Sequence, residues 1–295
     1  MRKIVDRQAR QDRWIVRGRA VEVRGRGRTH VREATGPRGA TTLVLLHGLG
    51  ATAALNWDAC IPTLARQFHV LAPDLRGHGQ GIRCGTTFRL TDCADDVAAL
   101  IRQERRGPAI VAGYSMGGPI AQLLAHRHPD VVAAMILCAT SRDFRGTPGE
   151  RAGFAALALT GLASRLTPSR PPHRLGASRR DHLPAKLREL AGHEQRAILA
   201  AAASLGTFTS RGWVADLTAP AVVVATTRDR IVPVRRQHKL ADALDAPVVE
   251  LEAGHLAPRS DPQELAGAIL DAARLLPDAR THRRIRRRRH ARRAA

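Results

Sequence analysis

Short apolar runs recur along the central part of the chain, and most of them consist of β-branched and other aliphatic residues. Six runs have the length of a buried strand: residues 41–46, 69–73, 108–113, 132–139, 221–226 and 247–251. Segments with the helical spacing of apolar residues follow most of these runs. Because continuous apolar strands that alternate with helices form sheets covered on both faces, we predict an α/β fold with a doubly wound, mostly parallel sheet.

Two regions depart from this alternation. Residues 20–34 alternate between polar and apolar and turn at Gly25 to Gly27, which predicts an antiparallel hairpin at the edge of the sheet. Residues 141–212 are rich in Ala, Leu and Arg, contain helical pieces and are longer than one crossover connection needs. We therefore predict a helical cap over 141–212, inserted into a core that spans 20–140 and 213–276.

The positive charge of the chain is concentrated at its two ends. Of the formal net charge of +22, residues 1–33 carry +7 and residues 277–295 carry +8, which leaves +7 for the 243 residues between them. We expect the basic segment 1–19 and the Arg-rich tail 277–295 to be disordered. The tail suits RNA or an anionic surface, but 3% aromatic residues leave few rings for base stacking. Nucleic-acid binding is therefore not expected to be the main function.

The sequence contains no secretory signal after its first methionine and no apolar run of the roughly 18 residues that a membrane span needs. We therefore expect a soluble, cytoplasmic protein without integral membrane association. The four cysteines are too few and too irregularly spaced for a disulfide framework or a zinc site, so reduced thiols are expected. A bridge between Cys84 and Cys93 remains the alternative.

Residues 112–120, AGYSMGGPI, place Ser115 between a predicted strand and a predicted helix. A sharp turn from strand to helix needs small residues two positions on either side of its apex, and Gly113 and Gly117 meet that need. Such a turn holds the serine hydroxyl above the sheet, and the N–H of Met116 at the start of the helix can bind an anion. The stretch therefore predicts a nucleophile elbow with Ser115 as the nucleophile.

A serine nucleophile needs a base and a group that orients the base. Asp229 follows the predicted strand 221–226, and His255 follows the predicted strand 247–251, so the chain order is Ser, Asp, His. The motif LLHGLG at residues 45–50 can supply a second oxyanion donor from the N–H of Leu49. We therefore predict Ser115, Asp229 and His255 as catalytic residues, with Leu49 and Met116 as main-chain oxyanion donors.

Over residues 20–275 these motifs resemble those of the α/β-hydrolase family. The matching stretches are HGLG at 47–50, DLRGHG at 74–79, GYSMG at 113–117, RDRIVP at 228–233 and AGH at 253–255. The resemblance implies the same roles for the five residues named above and a cap that shapes the substrate pocket. Asp143 also follows a core strand, and some members of the family resemble that arrangement, so Asp143 is the alternative acid.

The implied activity is that of a serine hydrolase of the carboxylesterase or lipase kind, which cleaves a carboxylic ester or similar acyl bond without a cofactor or metal. The apolar composition of the cap favours a small, apolar acyl substrate. A perhydrolase or acyltransferase would use the same acyl-enzyme, and a non-enzymatic ligand-binding module could use the same scaffold.

The remaining polar residues of these motifs are expected to organise loops. His47 and His78 lie in Gly-flanked loops, where a histidine more often bonds the main chain than transfers protons. Asp74 and Arg76 are expected to form a local ion pair within DLRGHG.

Overall fold

The computed structural model describes residues 16–84, 87–145 and 195–277. Within these ranges, eight strands form a single sheet. The strands are β1 (Arg17–Val23), β2 (Gly27–Ala34), β3 (Thr42–Leu46), β4 (His69–Pro73), β5 (Ala109–Tyr114), β6 (Val132–Cys138), β7 (Ala221–Thr226) and β8 (Val248–Leu251). The helices are α1 (Ala53–Trp57), α2 (Ile61–Leu64), α3 (Leu90–Glu104), α4 (Gly117–Arg127), α5 (Gln195–Gly206), α6 (Val234–Leu244), α7 (Ala257–Ser260) and α8 (Pro262–Leu275).

The strand order across the sheet is β1-β2-β4-β3-β5-β6-β7-β8. Strands β1 and β2 form an antiparallel hairpin, and β2 pairs antiparallel with β4. Strands β4, β3, β5, β6, β7 and β8 pair in parallel. The predicted α/β fold with a mostly parallel sheet is therefore confirmed, and each predicted strand is present within two residues of its expected ends.

The core lies on both faces of the sheet, because most of the parallel strands are buried along nearly their whole length. Every residue of β3, β4 and β7 is buried, whereas the edge strand β8 is only half buried. Helices α3, α4 and α6 cover one face. Helices α1, α2 and α8 cover the other face. The two layers make the doubly wound arrangement that the alternation of strands and helices predicts.

Two predicted boundaries are only partly covered by the structure. Strand β1 begins at Arg17, so the hairpin starts before the expected boundary at residue 20. Disorder was wrongly expected for residues 17–19, which lie in this strand, and residues 1–15 of the basic segment 1–19 fall outside the described residues. Of the predicted cap, residues 141–145 and 195–212 are described, and they include helix α5 and a bridge between Asp143 and Thr209. The predicted cap therefore stays a prediction over most of its length. The Arg-rich tail falls outside the described residues beyond position 277.

Two further expectations concern a membrane-spanning helix and a disulfide bridge. Among these helices, none has the length and apolarity needed to cross a bilayer. All four cysteines are buried free thiols, so the alternative bridge between Cys84 and Cys93 is absent. The structure thus holds its core together by packing between the helices and the sheet.

The carboxyl ends of β3, β5, β6, β7 and β8 lie at one edge of the sheet because these strands run parallel. The loops that follow β3, β5, β7 and β8 carry the residues that the sequence singles out. The topology therefore brings together residues that are far apart in the chain, such as Ser115 and His255, which are 140 positions apart.

Candidate active site

Ser115 occupies a strained turn between β5 and α4. Its φ is +50°, in the left-handed region that residues other than glycine rarely adopt. The turn is possible because Gly113 and Gly117 lie on either side of it: a Cβ at Gly113 would overlap the main chain of Gly117, and a Cβ at Gly117 would overlap the carbonyl of Leu46. The strain and the close packing are those of a nucleophile elbow.

Hydrogen bonds to its main chain hold Ser115 in this conformation. Its N–H donates to the carbonyl of Cys138 at 3.0 Å. Its own carbonyl accepts from the N–H of Gly118 at 2.9 Å and from the hydroxyl of Thr140 at 2.8 Å. A Cβ at Gly118 would overlap the side chain of Thr140, so these two residues fit only as a pair. The strained conformation is thus fixed from the neighbouring strand end as well as from its own helix.

The His255 ring bridges Ser115 and Asp229. Its Nε2 lies 2.9 Å from Oγ of Ser115, and its Nδ1 lies 2.7 Å from Oδ2 of Asp229. Because an ionised carboxylate only accepts hydrogen bonds, the neutral ring carries its proton on Nδ1 and leaves Nε2 free to accept the serine proton. This is the arrangement that a general base needs.

The Asp229 carboxylate is fully enclosed, with a side chain that is 0% exposed. One oxygen accepts the N–H groups of Ile231 and Val232, each at 2.8 Å. The other accepts the hydroxyl of Thr226 at 2.9 Å in addition to the His255 ring. Burial opposes ionisation, but the hydrogen bonds from His255, Val232 and Ile231 outweigh it and lower the pKa of Asp229. The carboxylate is therefore charged where it meets the ring.

Asp143, the alternative acid, has other partners. Its oxygens lie 3.2 Å from the Arg145 guanidinium and 2.6 Å from the Arg211 guanidinium. Burial opposes its ionisation, but the Arg145 N–H and guanidinium and the Arg211 charge lower the pKa of Asp143. The ring of His255 is bound to Asp229 instead, so the geometry favours Asp229 as the orienting acid.

The loop after β3 lies beside Ser115, since a Cβ built on Gly48 would stand 3.4 Å from the Ser115 Cβ. Within the described ranges, the N–H groups of Leu49 and Met116 donate to no protein acceptor. Met116 directly follows Ser115 at the start of α4. One of these unpaired N–H groups directly follows Ser115 and the other lies in the neighbouring loop, as an oxyanion site requires.

His47 fixes the orientation of this loop. Its Nε2 accepts the N–H of Leu75 at 2.9 Å, so its Nδ1 donates to the carbonyl of Gly48 at 2.8 Å. The carbonyl of Gly48 and the N–H of Leu49 belong to one trans peptide and point in opposite directions. On the other side of Gly48, its N–H donates to Oδ1 of Asn56 at 2.8 Å. His47 and Asn56 therefore set the direction of the Leu49 N–H.

The expected ion pair between Asp74 and Arg76 is wrong. The Asp74 carboxylate instead accepts the N–H groups of Ala53 and Gln80, each at 2.8 Å. Arg76 reaches α3, where it makes a two-point ion pair with Asp96 at 2.7 and 2.8 Å. Neighbouring residues of this loop therefore point in different directions, and each joins the loop to a different element.

A comparison of the sequence with models of known protein families gives the same result as the motifs. The model of the alpha/beta hydrolase family matches residues 43–268. The chain is an α/β hydrolase. The resemblance predicted from the sequence motifs is therefore confirmed by a match over most of the chain.

Individual relatives of this α/β hydrolase cover most of its length. It is 32% identical over 251 residues to a pimeloyl-[acyl-carrier protein] methyl ester esterase of Aromatoleum aromaticum, a match that spans 79% of this chain and 98% of that protein. It is 30% identical over 259 residues to a magnesium-chelatase 30 kDa subunit of Rhodobacter capsulatus, across 80% of this chain and 88% of that one. A solved hydrolase from Pseudomonas aeruginosa superposes with a TM-score of 0.67 at 25% identity, over 87% and 98% of the two chains.

In this α/β hydrolase the loops that carry Asp229 and His255 are joined to each other. The N–H of Thr227 donates to the carbonyl of Leu251 at 2.9 Å, and the N–H of Arg228 donates to the carbonyl of Ala253 at 3.1 Å. Both bonds use main-chain atoms only. They continue the pairing of β7 with β8 past the ends of the strands.

Several polar residues that support the site were not identified from the sequence. Thr140, Thr226 and Asn56 each support a residue that the motifs identify, but each is a small polar residue near a strand end or in a short helix. Such residues are common in loops, so their type alone carries no signal. The position of Thr140 directly after the predicted strand 132–139 is the one hint that the sequence offers.

Proposed function

We propose that this chain is a serine hydrolase that cleaves a carboxylic ester or similar acyl bond of a small molecule. The observation that carries the proposal is the continuous hydrogen-bonded chain from Ser115 through His255 to the buried Asp229. The relative from Aromatoleum aromaticum, whose name is that of a methyl ester esterase, supports the same reaction class.

The proposed reaction proceeds in two steps. Ser115 Oγ attacks the substrate carbonyl while Nε2 of His255 takes the hydroxyl proton, and the N–H groups of Leu49 and Met116 bind the oxyanion. His255 then gives this proton to the leaving alcohol as the carbon–oxygen bond breaks, which leaves an acyl-enzyme on Ser115. A water molecule repeats the attack, with His255 again as base, and releases the acid.

Two exposed apolar residues beside the site support an apolar substrate group. Ile231 lies two residues after Asp229 and is 64% exposed, and Leu256 directly follows His255 and is 60% exposed. Ligand pockets are lined mainly by apolar side chains, so exposed apolar residues in the loops of Asp229 and His255 support contact with an apolar ligand. We therefore expect esters with an aliphatic chain to be better substrates than acetate esters.

A covalent probe tests the role of the serine. A fluorophosphonate should label the wild type and fail to label Ser115→Ala. Ser204→Ala is the matched control, because Ser204 lies in α5, a helix that carries none of the proposed catalytic residues. Equal labelling of wild type and Ser115→Ala would refute the proposal. A series of p-nitrophenyl esters of increasing chain length then measures the preference for the aliphatic group.

A further inference from the structure

Tyr114 directly precedes Ser115 at the end of β5, and its side chain is 2% exposed. It lies on the face of the sheet that α1, α2 and α8 cover. There its ring packs edge-on against Trp57, with the ring centroids 6.1 Å apart. On its other side the ring lies beside the His255 ring at a centroid distance of 5.8 Å. Tyr114 is thus packed between the core and the proposed base.

The hydroxyl of Tyr114 donates to the main-chain carbonyl of His255 at 2.9 Å. The carbonyls on either side of His255 find main-chain donors: Gly254 accepts from Ala257, and Leu256 accepts from Ser260. Within the described part of the chain, the carbonyl of His255 receives its hydrogen bond from Tyr114. At His255 the hydrogen-bond donor to the carbonyl is therefore a side chain, whereas at the two neighbouring residues it is a main-chain N–H.

We propose that Tyr114 is a positioning residue that fixes the main chain of His255 so that its ring reaches Ser115 and Asp229 together. This inference rests on the proposed function. The ring must satisfy two contacts at 2.9 and 2.7 Å, and a displacement of about 1 Å in such a site can lower the rate about a hundredfold. Tyr114 is the last residue of β5 and Ser115 directly follows it, so one rigid strand sets the position of both the proposed nucleophile and the proposed base.

The Tyr114 hydroxyl remains protonated and can therefore always donate its hydrogen bond to the His255 carbonyl. Burial, with smaller contributions from nearby thiols and from Asp229, raises the pKa of Tyr114 far above its usual range. The hydroxyl therefore keeps its proton wherever the enzyme is folded. Phenylalanine at this position would keep the ring and its packing and would remove only the donor.

The test is Tyr114→Phe, with Ile101→Val as a control for stability. Ile101 is a buried residue of α3, away from the site, and loses one methylene. For Tyr114→Phe we expect kcat on a p-nitrophenyl ester to fall about tenfold while KM stays within about twofold. The rate of fluorophosphonate labelling should fall by a similar factor. For Ile101→Val both rates should stay within about twofold of the wild type.

A second readout separates positioning from general weakening of the fold. The low-field proton resonance of the hydrogen bond between His255 and Asp229, assigned by its absence from His255→Ala, should shift or broaden in Tyr114→Phe and stay unchanged in Ile101→Val. An unchanged resonance, or a rate within twofold of the control, overturns the inference. If the wild type resists the fluorophosphonate, the proposed function fails instead, and the resonance still reports whether Tyr114 positions the ring.

Discussion

Replacing Asp229 with Asn tests how the base is oriented. The oxygen that faces Ile231 and Val232 accepts two N–H groups at 2.8 Å, so the new amide NH₂ cannot occupy that place. The NH₂ must therefore take the other position, which faces Thr226 and Nδ1 of His255. There it donates to Nδ1 and forces the ring proton onto Nε2.

A ring with its proton on Nε2 cannot accept the proton of Ser115. The same change of tautomer in a serine protease lowers kcat about 10⁴-fold, so we expect a loss of about 10³- to 10⁴-fold for Asp229→Asn. At about 1.36 kcal/mol for each factor of ten, this equals about 4 to 5.5 kcal/mol of transition-state stabilisation.

The assay is kcat/KM on a short-chain p-nitrophenyl ester, compared with Asp143→Asn. Asp143 pairs with Arg145 and Arg211 rather than with the ring, so its amide variant should stay within about threefold of the wild type. The reasoning is refuted if Asp143→Asn loses as much activity as Asp229→Asn, or if Asp229→Asn keeps more than about a tenth of the wild-type rate.

Three further outcomes are expected. Gly117→Ala should lower the free energy of unfolding in urea by at least about 2 kcal/mol, because its Cβ would overlap the carbonyl of Leu46. Glu33→Gln should destabilise the protein at neutral pH but not in acid. The 3.1 Å contact with His69 and the hydrogen bond from Arg19 lower the pKa of Glu33 from 4.5 to about 2, so its contribution is complete above about pH 4.5 and is lost as the pH falls toward about 2. Deletion of residues 279–295 should leave ester hydrolysis unchanged.

Each of these outcomes has its own check. Gly267→Ala, where a Cβ meets nothing within 4 Å, should stabilise α8 rather than destabilise the protein. A Glu33→Gln difference that persists unchanged at pH 2 in acid titrations of stability would contradict the ion-pair argument. Loss of activity in a soluble, folded deletion variant would give the Arg-rich tail a role in hydrolysis.

The sequence predicted the strands and the order of the site residues because both depend on local patterns. Continuous apolar runs such as the one in β7 identify buried parallel strands, and Gly113 and Gly117 identify the sharp turn around Ser115. The topology then follows a general rule that places the carboxyl ends of parallel strands together.

The supporting contacts could not be predicted in the same way. Arg76 pairs with Asp96 rather than with Asp74, because the loop directs its side chain toward α3, and no short-range pattern encodes that direction. The bond from Tyr114 to His255 spans 141 positions of the chain and depends on how β5 and the loop after β8 meet. Cytoplasmic location, the catalytic roles of Ser115, Asp229 and His255, the oxyanion roles of Leu49 and Met116, and the cap stay predictions.

The main-chain bonds between the loops after β7 and β8 bear on how this site tolerates change. Because the bonds from Thr227 to Leu251 and from Arg228 to Ala253 use no side-chain atoms, substitutions other than proline at Thr227 and Arg228 keep the donating N–H groups. An inserted or deleted residue in either loop would shift the pairing and move Asp229 away from His255. The loops after β7 and β8 therefore behave as one structural unit. To graft this site onto another protein, both loops would have to be moved together and kept at their present lengths.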